Sequence, residues 1–331
     1  MKAWQIDRLG EPGEVMVWTD LDDPIAGPGQ AVVRVRAAAA NFPDVLMMRG
    51  HYQVRPELPF TPGVELCGDV VRLGAGVDAL QVGDRVIGVS AMPHGAFGEL
   101  ALVDVNEVFP APAMLDDAQA AAFHIGYQTG WFGLHHRAEL QEGETLLVHA
   151  AAGGVGSAAV QLGKALGARV IAVVGGADKV EIARSCGADV VVDRRTEDFV
   201  TVTRTVTDGR GADVIYDPVG GDAYTRSTKC VAFDGRIVVV GFAAGAVQAP
   251  PLNHALVKNY SILGLHWGLY RQHDPSAVRG AHEALTALAD KNLISPVIDK
   301  CVALDELAPE LTRLAAGSTV GRVIAEPRGD R

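Results

Sequence analysis

The chain has 331 residues, 48% of them hydrophobic and 21% charged, which is enough apolar material to bury the cores of two ordinary domains. Its net charge of -11 argues against a nucleic-acid or acidic-membrane partner, because phosphate binding on that scale needs clustered Lys and Arg. No leader and no run of roughly 18 apolar residues is visible. The scattered cysteines Cys67, Cys186, Cys230 and Cys301 offer neither a disulfide framework nor a zinc knuckle, so a cytoplasmic protein with reduced thiols is expected.

In chain order, residues 1–7 read as an edge strand. Short β-type runs follow at 31–36, 68–73, 85–89 and 99–103, with turns at Gly27-Pro28-Gly29, Gly74-Ala75-Gly76 and Gly83-Asp84. Many short strands without long helices suggest a barrel-like β domain over the first ~120 residues. Residues 116–130 look helical, and a strict alternation begins after Glu142-Gly143-Glu144. Strand 145–150 leads to helix 154–166, strand 169–174 to helix 178–186, and strand 189–193 to a helix ending near 205. Strand 213–217, helix 222–231 and strands 236–241 and 261–266 complete the run. Alternation of this length implies a parallel sheet with helices on both faces. A helix at 276–291, a stretch at 296–304, a helix-like 305–316 and a short strand at 321–326 close the chain.

The strongest signal is Leu146-Leu147-Val148-His149-Ala150-Ala151-Ala152-Gly153-Gly154-Val155-Gly156 followed by a helical run. An apolar strand feeds a turn of small residues that opens a helix, so backbone N–H groups and the helix dipole can meet a pyrophosphate at close range. Against G-x-G-x-x-G, the first position is Ala151, while Gly153 and Gly156 fit. About twenty residues on, an enzyme specific for NAD would place Asp or Glu at the end of the second strand. Here that strand ends in Gly175-Gly176, and Lys179 and Arg194 supply nearby positive charge, which favours NADP(H), although Asp178 and Asp193 are also close in sequence.

Taken together, Asn41-Phe42-Pro43-Asp44, Arg49-Gly50-His51-Tyr52, 59–65 (PFTPGVE), 82–86 (VGDRV), 95–99 (GAFGE), 149–156, 216–221 (YDPVGG) and 235–241 (GRIVVVG) resemble one family. Their order and spacing are those of the zinc-free quinone oxidoreductases of the medium-chain dehydrogenase/reductase superfamily. The resemblance implies an α/β fold in which a GroES-like β-barrel domain, made of 1–123 and 270–331, receives an inserted Rossmann domain with a doubly wound parallel sheet, 124–269. Cofactor and substrate would meet in the cleft between them. It implies NADP(H) contacts at Asn41, Phe42, Thr129, Gly154 and Val155, at Gly175, Lys179 and Arg194 near the 2′-phosphate, and at Phe242, Leu265 and His266 toward the nicotinamide. Arg194 stands where relatives often have Tyr, and Leu46 where some have another Tyr. Relatives are commonly homodimers that pair edge strands of their Rossmann sheets, which would put 236–242 at the interface.

No metal is expected. Zinc-dependent cousins use a Cys and a Gly-His-Glu in the first domain and a four-cysteine lobe; at the matching places stand Asn41, Val64 and a cysteine-free 90–99. Without a Lewis acid, alcohol oxidation is difficult, whereas a quinone or conjugated enone delocalises the charge that hydride transfer creates. The expected activity is therefore NADPH-dependent, zinc-independent hydride transfer to a quinone or α,β-unsaturated ketone. The alternatives are a 2-enoyl-thioester (enoyl-CoA) reductase and a non-catalytic NADPH-binding sensor. Tyr52 is the candidate proton donor. Asn41 either donates its amide to substrate or holds the nicotinamide ribose, the second being preferred. His124, three residues before Tyr127, is a lesser donor candidate, and Phe60, Met47, Met48, Met92 and Trp267 could line an apolar pocket.

Overall fold

The computed structural model describes residues 1–328. Its strands, in chain order, are β1 (Lys2–Ile6), β2 (Met16–Asp20), β3 (Gln30–Ala39), β4 (Glu65–Leu73), β5 (Arg85–Ser90), β6 (Leu100–Pro110) and β7 (Thr145–His149). They continue with β8 (Arg169–Val174), β9 (Val190–Asp193), β10 (Ala212–Asp217), β11 (Val231–Val239), β12 (Ser261–Gly264), β13 (Ile298–Ala303) and β14 (Arg322–Glu326). The chain divides into two compact units: Met1–Ile125 joined by the stretch from Ser295 onward, and Gly126–Ile294.

In the first unit, β3 pairs antiparallel with both β4 and β6, and β5 bridges those two, which closes a small barrel. The alternation of β3 sends Val33 and Val35 to one core together with Leu66, Val86, Phe97 and Val103. The end of the chain does return to this unit, since β14 pairs with β3 at Ile324↔Ala39 and carries β13 on its far side. The antiparallel ribbon of β1 and β2 was only half legible: β1 shows buried Ala3, Trp4 and Ile6, but β2 has no fully buried residue and sets only Met16 and Trp18, partly covered, against the core.

In the second unit, six parallel strands lie in the order β12-β11-β10-β7-β8-β9, the doubly wound arrangement. Every residue of β7 is buried, as a central parallel strand covered on both faces requires. The order reverses between β7 and β10, which creates a crevice at the carboxyl ends of those strands.

Three expectations change. The stretch 270–294, assigned by sequence to the first unit, falls within the second: Gln128 Nε2 donates to the Val278 carbonyl at 2.9 Å, and helix Pro275–Asp290 buries Val278, Ala281 and Leu285. The end of that expected segment, 329–331, lies outside the described residues. The helix expected over 222–231 stops at Ser227, and β11 starts at Val231, because pairing with β10 and β12 overrides local propensity. For the same reason 236–242 does not lie on a sheet edge: Arg236–Val239 is hydrogen-bonded on both sides, and the edge strands are β12 and β9. No described helix is long and apolar enough to cross a membrane.

Candidate active site

The turn after β7 is built from backbone. Ala150 adopts a positive φ of 49°, Gly153 N donates to the Ala150 carbonyl at 2.9 Å, and Gly153 becomes the N-cap of helix Gly154–Ala165. No side chain caps this helix, so its first N–H groups and its dipole face outward from the crevice end of the sheet. Gly156 is required on steric grounds: a Cβ there would lie 2.1 Å from the Ala150 oxygen and 2.9 Å from the Ala151 Cα. At Gly153 the nearest such atom is 3.3 Å away. Beneath the turn, His149 is buried, its Nε2 2.8 Å from Ser227 Oγ and its ring edge-on to Phe199. Burial pushes this imidazole down to about 4, so it is neutral near pH 7 and adds no charge to the turn.

Beside it, the tip of β8 is Gly175-Gly176, with Gly176 at φ 135°. The Arg194 guanidinium lies over Gly175, where a Cβ would come within 3.1 Å of its Nε and Nη2. Arg195 flanks Gly176 in the same way, its Nη1 at 3.0 Å from such a Cβ. Asp193, one of the acids that complicated the cofactor choice, has its Oδ1 turned into the turn, where it accepts from Gly176 N and Arg195 N, both at 3.0 Å. Arg194 and Arg195 are exposed, and Lys179 is half-buried on the short helix that follows the tip. Sequence reasoning named Arg194 but missed Arg195; the adjacent Arg-Arg pair after a strand was the available signal.

At the carboxyl ends of the other strands, Asp217 Oδ1 accepts from Val219 N and Gly220 N at 2.8 and 2.9 Å and shapes the loop after β10. Phe242 packs against Gly220, leaving room for no Cβ there, and Leu265 N donates to the Val239 carbonyl at 3.0 Å. Leu265 is buried, His266 is exposed and Thr129 is buried. Gly153–Gly156, Gly175, Arg194, Phe242 and Leu265 thus follow the carboxyl ends of β7, β8, β9, β11 and β12 of one parallel sheet.

The first unit holds a buried polar network. Asn41 precedes helix Phe42–Met48 and forms a capping box with Asp44. Asp44 Oδ2 accepts from Asn41 N at 2.8 Å, and its Oδ1 accepts from Gly63 N and Val64 N at 3.1 and 3.0 Å. Burial pushes Asp44 up to about 7, against the pull of those three N–H groups. Asn41 Nδ2 donates to the Ala39 carbonyl and to Glu65 Oε2, each at 3.0 Å. Glu65 Oε2 also accepts from Arg322 Nη2, and its Oε1 accepts from Ile125 N at 2.6 Å. Burial raises the Glu65 carboxyl, while Arg322, Asn41 and Ile125 oppose that shift. Asp44 and Glu65 are therefore structural acceptors.

Other candidates land differently. Tyr52 is half-buried in the loop after this helix, and Phe42 is half-buried at the helix start. His124 is buried and stacked on Phe109 at 5.1 Å between centroids. Phe60 and Met48 belong to the barrel core, and Met92 packs against it. The residues present do not suit catalytic zinc. Asn41 has its amide nitrogen engaged, Val64 has no lone pair, and among the described residues no group of three or more His, Cys, Asp or Glu is placed to hold a metal. Cys67 is buried with its thiol pushed up to about 12, mainly by desolvation, so it offers no thiolate.

A GroES-type barrel and a doubly wound dinucleotide sheet together define a medium-chain dehydrogenase/reductase. Comparison with known proteins agrees: residues 27–113 match the alcohol dehydrogenase GroES-like domain and residues 154–285 the zinc-binding dehydrogenase domain. The quinone oxidoreductase-like protein 2 homolog of Nematostella vectensis is 37% identical over 325 residues, covering 98% of this chain and 88% of the relative. The quinone oxidoreductase of Escherichia coli, solved in complex with NADPH, superposes with a TM-score of 0.90 at 29% identity, covering 99% of this chain and 100% of that one. A mycobacterial protein, also solved with NADPH, gives 0.92 at 29% identity with the same coverage. The chain belongs to the quinone oxidoreductase-type family of this superfamily, and it is an oxidoreductase.

Proposed function

We propose that the protein is an NADPH-dependent reductase of quinones or conjugated enones that works without zinc. The observation that carries the reading is the uncapped turn Gly153–Gly156 at the reversal point of the sheet, one strand from a glycine tip flanked by Arg194 and Arg195. When bound, NADPH supplies a hydride from its nicotinamide, and the acceptor takes up that hydride and one proton.

This chain's residues supply positioning and charge. The N–H groups of Gly154 and Val155 would hold the pyrophosphate, while Arg194, Arg195 and Lys179 would answer the 2′-phosphate at the glycine tip and outnumber the one carboxylate beside it, Asp178. Phe242, Leu265 and His266 would flank the nicotinamide end, with Thr129, Phe42 and Asn41 as further cofactor contacts. Tyr52 is the proposed donor of the final proton. Asn41 and Val64 in place of zinc ligands support an acceptor that delocalises its own charge, because no Lewis acid is held there to do so. The homodimer expected from the resemblance would use β12, the edge strand next to 236–239 in the parallel sheet.

The test is oxidation of NADPH against a panel of quinones, enones and enoyl-CoA thioesters, with NADH and chelator arms. Quinone or enone turnover that survives chelation is the expected result. Turnover confined to thioesters would make the protein an enoyl-thioester reductase. Binding without turnover of any acceptor would make it a sensor, and activity lost on chelation and restored by zinc would refute the metal-free reading.

A further inference from the structure

Helix His124–Trp131 does not keep its period into the next turn. Phe132–Arg137 widens to a π-turn, in which Ala138 N donates to the Gly133 carbonyl five positions back at 3.0 Å. Such turns are rare and recur at functional sites. This one packs on a distant stretch of the same unit, the residues that follow edge strand β12. Gly133 is buried, and a Cβ on it would lie 3.2 Å from Leu265 Cδ2 and 2.9 Å from Tyr216 Cε2. The Leu265 side chain therefore rests against bare backbone of the turn. The Phe132 ring meets the Tyr270 ring at 4.2 Å between centroids, and His136 stands edge-on to the same ring at 5.3 Å. Phe132 and His136 also face each other at 5.5 Å, so two rings on successive turns grip Tyr270.

The two neighbours of Gly133 differ in freedom. Tyr216 is fully buried on β10, which lies between β11 and β7, and has nowhere to go. Leu265 follows the edge strand and leads into exposed His266, so a push from the turn displaces this stretch first. We infer that Gly133, Phe132 and Tyr270 are positioning residues: the π-turn anchors 265–270 at the carboxyl end of β12 and sets where Leu265 and His266 stand. This rests on the reading above, in which those two residues flank the nicotinamide of NADPH. The phosphate-binding turn and the glycine tip follow β7 and β8, three and four strands away. The anchor thus governs alignment of the reacting end without touching the groups that would hold the phosphates.

The experiment measures single-turnover hydride transfer at saturating NADPH to whichever acceptor of the panel turns over. NADPH deuterated at nicotinamide C4 confirms that the transfer itself is observed. NADPH affinity is read separately by fluorescence, and thermal melting serves as the fold control. Gly133→Ala should slow transfer roughly 10- to 100-fold, the size expected for a misplacement of about 1 Å at the reacting end, and change NADPH affinity less than about twofold. Leu265→Val removes the Cδ2 atom that the new methyl would meet. Gly133→Ala should therefore cost less in the Leu265→Val background than in the unaltered chain, the coupling that residues in contact show. Tyr270→Leu opens the other grip and should slow transfer in the same way, and it supplies the measurement should Gly133→Ala fail to fold.

A merely structural contact would lower the melting temperature and leave the transfer rate at saturating NADPH unchanged, and that result overturns the inference. So does an NADPH affinity that falls as far as the rate, because the turn would then act on binding and not on alignment. Equal costs of Gly133→Ala with and without Leu265→Val would remove Leu265 as the route and overturn it as well. An unaltered protein that binds no NADPH, or passes hydride to no acceptor, would instead sink the underlying functional reading, and is seen before any variant is made.

Discussion

Replacing Gly156 by Ala tests the dinucleotide turn at its tightest point. The new methyl carbon would lie 2.1 Å from the Ala150 carbonyl oxygen, 2.7 Å from its carbon and 2.9 Å from the Ala151 Cα, all of them backbone atoms that no rotamer change can move. Relief requires the turn to open by about 1 Å, and overpacking of that kind costs roughly 1–3 kcal/mol. The bound cofactor needs the closed turn, so the same energy appears in binding as a loss of roughly 5- to 150-fold in NADPH affinity. Gly153→Ala is the control. Its methyl would meet nothing nearer than the Ala150 oxygen at 3.3 Å, and its backbone, at φ -88° and ψ 174°, suits any residue. Titration of NADPH fluorescence on both variants, with melting curves in its absence, gives the comparison. Equal affinities for the two variants, or a Gly156→Ala protein indistinguishable from the unaltered one, would refute the argument that close backbone approach fixes this glycine.

Further outcomes follow from the same structure. Arg194→Ala and Arg195→Ala should each raise KM for NADPH roughly 5- to 50-fold, the value of an exposed charge-assisted bond, and leave KM for NADH unchanged; an equal effect on both cofactors would dismiss the 2′-phosphate assignment. His149 titrates at about 4 in the folded chain against an ordinary 6.5, so the unfolded state binds the extra proton first. Its contribution is therefore intact above pH 6.5 and is lost at up to ~1.4 kcal/mol per unit as the pH falls toward 4. Denaturant titrations of His149→Gln should lack that slope, and parallel pH profiles for the two proteins would contradict the assigned burial. Sedimentation equilibrium should return a dimer of the 34.8 kDa chain, whereas a strictly monomeric protein would remove β12 as a pairing edge.

Much of the architecture was readable because it is local. The strand–turn–helix at 145–165 announces itself through a continuous apolar strand, a run of small residues and a helix within twenty positions, and the alternation to β12 repeats that logic. The glycine tip at Gly175-Gly176 was equally plain. β2 escaped because its residues are only partly covered, and the short helix Leu252–Lys258 because it buries none of its side chains. Neither leaves the periodic trace that burial imposes on a sequence.

The sequence by itself determined most of the alternating strands and helices of the second unit and the small-residue turn after β7, since each of these depends on residue chemistry within a short window. Tertiary structure alone decided that β12 and β9, not 236–242, are the sheet edges, that 270–294 belongs to the second unit, and that Arg195 flanks the Gly175-Gly176 tip. It also decided which way the Asn41 amide faces. Those outcomes depend on donors, acceptors and strands brought together from distant parts of the chain, as Arg322 and Glu65 are, and no local pattern encodes the direction of a hydrogen bond made across such a separation.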